Sequence, residues 1–309
     1  MLNKVAVIGA GFVGTMTAQR IVERNLADVV LIDIVEGIPQ GKALDIGHST
    51  PLLNVDAGIY GTNDFSDIKD SRIVVVTAGF PRTPGMSREE LAEKNGKVIK
   101  SVVENIRRFA PECIMIVVTN PLDVMACLAW KLSGFPPERV IGMGGVLDTA
   151  RYEYLLSREL GVSVKDITAL VLGSHGDTMI PVDRYSTLRG IPVSLLIPEE
   201  RLHAIIERTK HSGAEIVGFL KTGSAFHAPS ASIAAMVEAI LLDSKRFLAA
   251  SVYLDGQYGI RDIFIGAPIK LGAAGVEEIY EINLTDRELA ALRRSAAVIK
   301  ETLKKLRIE

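Results

Sequence analysis

Residues 171–181, VLGSHGDTMIP, end a short apolar run with an imidazole: His175 stands between Ser174 and Gly176, with Asp177 two positions on. Imidazole is the side chain whose ordinary pKa lies nearest neutrality, so it can take up and return a proton during a reaction. A histidine in a glycine-flanked turn can equally do no more than hydrogen-bond its own loop, and the stretch alone leaves both readings open. Two other segments carry groups of comparable reach. In GGVLDTARYEYLL (144–156), Asp148 and Arg151 lie three residues apart on one face of a predicted helix. They could simply pair with each other. Alternatively, the carboxylate orients a histidine while the guanidinium grips a substrate carboxylate through two parallel hydrogen bonds. In GFPRTPGMSREEL (79–91), Arg82 and Arg88 sit in a segment punctuated by Pro81, Pro84 and Gly85. That is either a solvated surface loop or one that closes over a ligand with a fixed local shape.

A phosphate-binding signature stands at the start of the chain. VAVIGAGFVG contains Gly9, Gly11 and Gly14 as G-x-G-x-x-G, directly after a predicted strand and ahead of a helical segment at 13–25. The first glycine permits a tight turn, the second lets backbone approach a pyrophosphate, and the third allows close packing of strand and helix. Unpaired N–H groups at the helix start then face the phosphates. Asp33, nineteen residues beyond Gly14 at the end of the second strand, can accept both hydroxyls of a ribose. The next residues, Ile34 and Val35, offer no guanidinium for a 2′-phosphate, which favours NAD over NADP.

These groups need a frame, and the first half of the chain supplies a regular one. Short β-branched runs at 4–9, 28–33, 72–78, 113–120 and 139–143 alternate with segments of helical spacing, notably 87–110. Continuous apolar strands separated by helices predict an α/β fold with a doubly wound parallel Rossmann sheet, covered on both faces. In the second half, helices at 146–160, 199–220 and 230–243 surround strand-like pieces at 167–173, 247–254, 262–268 and 277–282. Glycine turns between the last three predict antiparallel pairing. The expected division is therefore a dinucleotide-binding domain at 1–145 and an α+β substrate domain at 146–309. The closing helix should start at Thr285 with Glu288 completing a capping box. Its apolar positions, Leu289, Leu292, Ala296, Ile299, Leu303 and Leu306, should pack on its own domain rather than on a coiled-coil partner.

Composition excludes several classes of function. Of the 309 residues 48% are hydrophobic and 23% charged, and the net charge is −2 with signs mixed, so a disordered chain and a nucleic-acid-binding basic face are not expected. No stretch approaches the ~18 uninterrupted apolar residues of a membrane span. The three glycines make a secretory leader the weaker reading of the N-terminus, and the expected compartment is the cytoplasm. Cys113 and Cys127, both in apolar surroundings, read as small buried hydrophobes, and no grouping of His, Cys and acidic residues suggests a metal.

Taken together, IGAGFVG, DIVEGIPQGKALDI, TAGFPRTPGMSREEL, TNPLDVM, GGVLDTAR and LGSHGDTMIP resemble the lactate/malate dehydrogenase family over nearly the whole chain and in the same order. The likeness is closest to the malate dehydrogenases built on the lactate dehydrogenase pattern. The resemblance implies an NAD-dependent oxidoreductase interconverting (S)-malate and oxaloacetate, a reaction of the tricarboxylic acid cycle. Under it His175 accepts the hydroxyl proton of the substrate, and Asp148 holds the ring in the right tautomer and stabilises its cation. Arg151 would bind the carboxylate beside the reacting carbon. Arg88 would polarise the carbonyl oxygen, and Asn120 would bond near both nicotinamide and substrate. Cofactor contacts would come from Gly9, Gly11, Gly14, Asp33, Asn95 and Asn120. Arg82 would discriminate: malate enzymes of the family carry arginine here and lactate enzymes glutamine, because a dicarboxylate needs a second cation that pyruvate would leave buried and unpaired.

The alternative function is a lactate or other 2-hydroxy acid dehydrogenase. From other classes, an NAD-dependent glycoside hydrolase and a non-catalytic NAD-responsive protein remain as rivals. Ser174 departs from the glycine or glutamate of many relatives. Phe226 and His227 replace tyrosines common near the pocket edge, and His227 has no assigned role. His48, His203 and His211 read as surface residues. The resemblance also implies a homo-oligomer, tetramer before dimer, with the helix in 36–53 as an interface.

Overall fold

The computed structural model describes residues 3–81 and 85–306. In chain order the first half runs β1 (Lys4–Ile8), α1 (Phe12–Glu23), β2 (Asp28–Ile32), α2 (Ile38–Leu53), β3 (Ile59–Thr62), β4 (Ile73–Val76), α3 (Arg88–Phe109), β5 (Ile114–Val117), α4 (Leu122–Ser133) and β6 (Val140–Gly142). The second half continues with α5 (Gly145–Leu160), β7 (Ile167–Thr168), β8 (Val171–Leu172), β9 (Ile180–Pro181), β10 (Thr187–Leu188), β11 (Ile191–Pro192), α6 (Glu199–Leu220), α7 (His227–Leu241), β12 (Arg246–Asp255), β13 (Arg261–Gly272), β14 (Gly275–Ile279) and α8 (Asp286–Lys305).

Strands β1, β2, β4 and β5 are apolar on both faces, and nearly every residue in them is buried, the burial expected of central parallel strands roofed by helices on either side. They pair in the order β3-β2-β1-β4-β5-β6, all parallel, so the chain winds outward in both directions from a switch point between β1 and β4. Ligands in such sheets bind beyond the carboxyl ends of the strands at that switch point, where the glycine turn after β1 lies. The strand β3 has no counterpart in the sequence reading. It is four residues long at the sheet edge and only half-buried, so its alternation is weak. Its Gly61 is required by packing, since a Cβ there would fall on the Pro39 carbonyl at the start of α2.

The sheet does not end at β6. The long antiparallel pair β12–β13, followed by β14, extends it to nine strands through one antiparallel contact, Ser251 of β12 opposite Gly142 of β6. Gly142 is needed at this seam, because a Cβ would lie 2.7 Å from that of Ser251. The run at 167–173 is not one strand. It splits into β7, which pairs with β10, and β8, which pairs with β9. Side chains of α5 take the intervening backbone: Ala169 N–H donates to Glu153 and Val171 N–H to Thr149.

Helix α8 begins at the expected capping box, with Thr285 accepting from the Glu288 N–H and Glu288 accepting from the Thr285 N–H. Its buried stripe, Leu292, Ala296, Ile299 and Leu303, belongs to the main core. It packs on β13, and also on α4 from the first half of the chain, so its partners are not confined to residues after 145.

Candidate active site

The turn after β1 has the shape a pyrophosphate requires. Gly9 adopts φ +105°, and a Cβ there would meet the Ala78 nitrogen at 2.6 Å. A Cβ on Gly14 would fall on the Gly9 carbonyl, so α1 can approach β1 this closely only without a side chain. Gly11, the N-cap of α1, is different: a Cβ on it would meet no protein atom within 4 Å. The open space at this N-cap, where the first N–H groups of a helix lack intrahelical partners, fits a dinucleotide phosphate. Asp33, just past β2, accepts from the Ala10 N–H at 2.7 Å and the Val35 N–H at 3.1 Å. A carboxylate has about four lone-pair positions, so these two bonds fix it beside the turn and leave acceptors for ribose hydroxyls.

Asn95 and Asn120 lie on the far side of this crevice. Asn95, fully buried in α3, donates to the Phe80 and Asn120 carbonyls and accepts from the Phe80 N–H. Its amide thereby ties the loop after β4 to the loop after β5. Gly79 sits inside this tie, where a Cβ would meet the Thr119 methyl at 2.6 Å. Asn120 itself is exposed at the carboxyl end of β5.

The groups of the chemical end meet at the junction between the two halves. Asp148 stands in the first turn of α5 and is 2% exposed. One of its oxygens is 2.7 Å from His175 Nδ1, and the other accepts from Arg151 at 3.2 Å. The His175 ring reaches Asp148 because Gly144 has no side chain; a Cβ there would lie 3.0 Å from that of His175. With Nδ1 donating to a carboxylate, the neutral ring carries its proton on Nδ1 and leaves Nε2 as the basic nitrogen. Burial of the ring disfavours its charged form, but the charge and hydrogen bond of Asp148 outweigh that. Arg151 opposes and Asp123 adds to the attraction, and the pKa lies above the ordinary 6.5. The Arg151 side chain is largely buried, and its Nε has no hydrogen-bond partner among the described residues. An unpaired buried guanidinium nitrogen calls for an acceptor, and a ligand carboxylate would supply one.

The loop carrying His175 is anchored from three sides. Gly173 exchanges two backbone hydrogen bonds with Gly266 of β13. Ser174 N–H donates to Ser295 of α8, and the hydroxyls of Ser174, Thr178 and Ser295 form a chain at 2.7 and 3.0 Å. The serine that departs from the family pattern is thus part of the loop's fastening. His175 N–H donates to Asp123 at 2.9 Å.

Asp123 has no place in the sequence reading. It lies three residues after Asn120 in the first turn of α4, where an acidic residue has an ordinary explanation in the helix dipole, and nothing in its spacing announces His175 or Ser251 as partners.

Of the other expected site residues, Arg82 lies outside the described residues. Arg88 is the first residue of α3, directly after the N-cap Ser87, and its side chain is likewise outside the described part. His227 is exposed at the start of α7, its ring 4.2 Å from that of Phe226, which stacks at 5.2 Å on Phe12 at the start of α1. His48, His203 and His211 are exposed. Among the described residues no group of three or more His, Cys, Asp and Glu could hold a metal ion, and no helix is long and apolar enough to cross a membrane.

Comparison with known proteins gives this geometry a lineage. The model of the lactate/malate dehydrogenase NAD-binding domain matches residues 3–142, and that of the lactate/malate dehydrogenase α/β C-terminal domain matches 145–308. The chain belongs to the lactate/malate dehydrogenase family. Its NAD-binding domain and oxidoreductase class follow from that membership. Within the family, the malate dehydrogenase of Thermomicrobium roseum is 53% identical over 99% of each chain. The apo malate dehydrogenase of Picrophilus torridus superposes with a TM-score of 0.97 at 44% identity, covering 99% of this chain and 98% of that one. A Cryptosporidium parvum lactate dehydrogenase, solved with lactic acid and NAD, superposes with a TM-score of 0.96 at 40% identity, again over 99% and 98%. Superposition alone therefore does not separate the two substrates.

Proposed function

We propose that this family member is an NAD-dependent malate dehydrogenase, oxidising (S)-malate reversibly to oxaloacetate. The observation that carries the reading is the contact of His175 Nδ1 with Asp148, itself shared with Arg151, in a chain whose first strand ends in a dinucleotide-type turn. Bound NAD supplies the hydride acceptor. The chain supplies the rest: His175 Nε2 takes the hydroxyl proton as hydride leaves C2, and Asp148 stabilises the imidazolium that results. Arg151 pairs with the carboxylate next to the reacting carbon, satisfying its unpaired Nε–H. Arg88 would polarise the carbonyl oxygen where negative charge develops in the reductive direction, and Asn120 would orient substrate against nicotinamide. Gly9, Gly11, Gly14 and Asp33 hold the dinucleotide. Asn95 serves it by fixing the two loops that carry Phe80 and Asn120.

The choice of a dicarboxylate rests on Arg82 and on curated relatives about half identical over the whole chain that are named malate dehydrogenase. A second cation in a closing site matches the second carboxylate of oxaloacetate, while pyruvate would leave it buried without a partner. The test is NADH oxidation with oxaloacetate against pyruvate. Oxaloacetate should be preferred by orders of magnitude in kcat/KM, and Arg82→Gln should move the preference toward pyruvate. An unchanged ratio in that variant removes the assignment.

The finer picture we infer includes a cytoplasmic enzyme of the tricarboxylic acid cycle and a division of labour near residue 145. It also includes a homo-oligomer, tetramer before dimer, joined through α2. Supporting the last, α2 exposes Ile38, Leu44, Leu52 and Leu53, an apolar surface larger than a solvated helix needs.

A further inference from the structure

Asp123 is a buried carboxylate, 4% exposed, in the first turn of α4. One oxygen accepts the backbone N–H of His175 at 2.9 Å and the other meets the Ser251 hydroxyl at 2.7 Å. Three parts of the fold converge on it: α4, which begins two residues after Asn120; the loop of His175; and β12 at the point where it joins β6. An asparagine would satisfy the same two partners, its carbonyl accepting the N–H and its amide donating to the hydroxyl. Burying a carboxylate instead is costly in free energy, so the hydrogen bonds alone do not account for it.

The charges around His175 account for it. Facing the ring from α5 are Asp148 and Arg151, and from α4 Asp123; Ser251, from β12, is uncharged, and Asp177 follows two residues on in the same loop. While His175 is neutral, Asp148 and Arg151 balance each other. When the ring is protonated and no substrate carboxylate yet sits on Arg151, as in the enzyme awaiting oxaloacetate, this buried cluster holds two positive charges against the one negative charge of Asp148. We propose that Asp123 is a positioning residue for proton transfer, fixing the His175 backbone relative to Asn120 and supplying the second negative charge that the protonated ring requires. This rests on the reading of His175 as the acid–base group. Burial, the largest influence, holds the Asp123 carboxyl above its ordinary value; the Ser251 and His175 bonds and the histidine's charge pull it down, and Asp148 raises it further. The two titrations are therefore coupled.

The experiment titrates the ring directly by NMR in protein carrying 13C-labelled histidine, with the His175 resonance among the five identified by its loss in H175N. The expected result for D123N, at wild-type NADH affinity and near wild-type Tm, is a His175 midpoint lower by about one pH unit. The falling limb of kcat/KM for oxaloacetate should move down with it. An unchanged midpoint in folded D123N overturns the proposal. Should D123N fail to fold, S251A removes one donor and leaves the carboxylate more easily protonated; its midpoint should fall in the same direction, and a wild-type midpoint there overturns the proposal instead. The control separates the two levels. If H175N loses turnover while D123N titrates as wild type, only the role of Asp123 falls; if H175N turns over as wild type, the acid–base reading falls with it.

Discussion

At the scale of single residues, the site depends on one shared carboxylate. Asp148 touches both His175 and Arg151, so removing its charge has a specific signature: Asp148→Asn should lower kcat by roughly 10²- to 10⁴-fold. NADH affinity, measured by fluorescence titration, should stay near wild type, because the dinucleotide turn is not touched. Equal losses in both would place Asp148 in the fold rather than the chemistry. The raised proton affinity of His175 also sets the pH dependence. With His175 as the proposed acid–base group, malate oxidation would need the neutral ring, so kcat/KM should rise with pH through a midpoint above 6.5, and oxaloacetate reduction, which would need the protonated ring, should fall through the same region. A midpoint at or below 6.5 would mean that burial outweighs Asp148. His175, Asp148 and Arg151 were legible as chemically capable residues from type and spacing, although neither reveals that one Asp148 oxygen faces each partner. Asp123 was not legible, since its partners lie 52 and 128 residues away.

Single elements are where local pattern and structure agree best. The alternation of apolar runs and helical segments in the first half matches β1, β2, β4, β5 and β6, and both the glycine turn and the α8 capping box stand where the sequence puts them. These features are local: a strand buried on both faces must be apolar throughout, and a helix start must satisfy its free N–H groups. Gly14→Ala tests the turn, since the new methyl would collide with the Gly9 carbonyl and force α1 away from β1. The variant should lose at least tenfold in NADH affinity and several degrees in Tm, whereas Gly14→Ala with unchanged affinity would show that the close approach is dispensable. The run at 167–173 shows the opposite case. Its residues have strand character, but two α5 side chains capture the backbone between β7 and β8, and no local pattern encodes that competition.

At the scale of the whole molecule, the nine-stranded sheet unites segments that the sequence presents as two different kinds of structure. The β12–β13 pair lies against β6 through Ser251 and Gly142, and α8 folds back onto α4, so the His175 loop is fastened to both halves at once. Assembly belongs to this scale too. Light scattering should return a multiple of 33.4 kDa, four before two, and Leu52→Glu on the exposed face of α2 should lower it; a wild-type mass of 33.4 kDa would contradict an oligomer. Length, periodicity and motif order are enough to indicate a doubly wound nucleotide fold, its glycine turn and the residue types available for hydride and proton transfer, because each depends on neighbours within a few turns of chain. Which carboxylate faces the imidazole, which amide fixes the loops and how far the sheet extends are settled by contacts between residues tens to more than a hundred positions apart. Such contacts exist only once side chains from separate elements compete for the same buried hydrogen bonds and the same space.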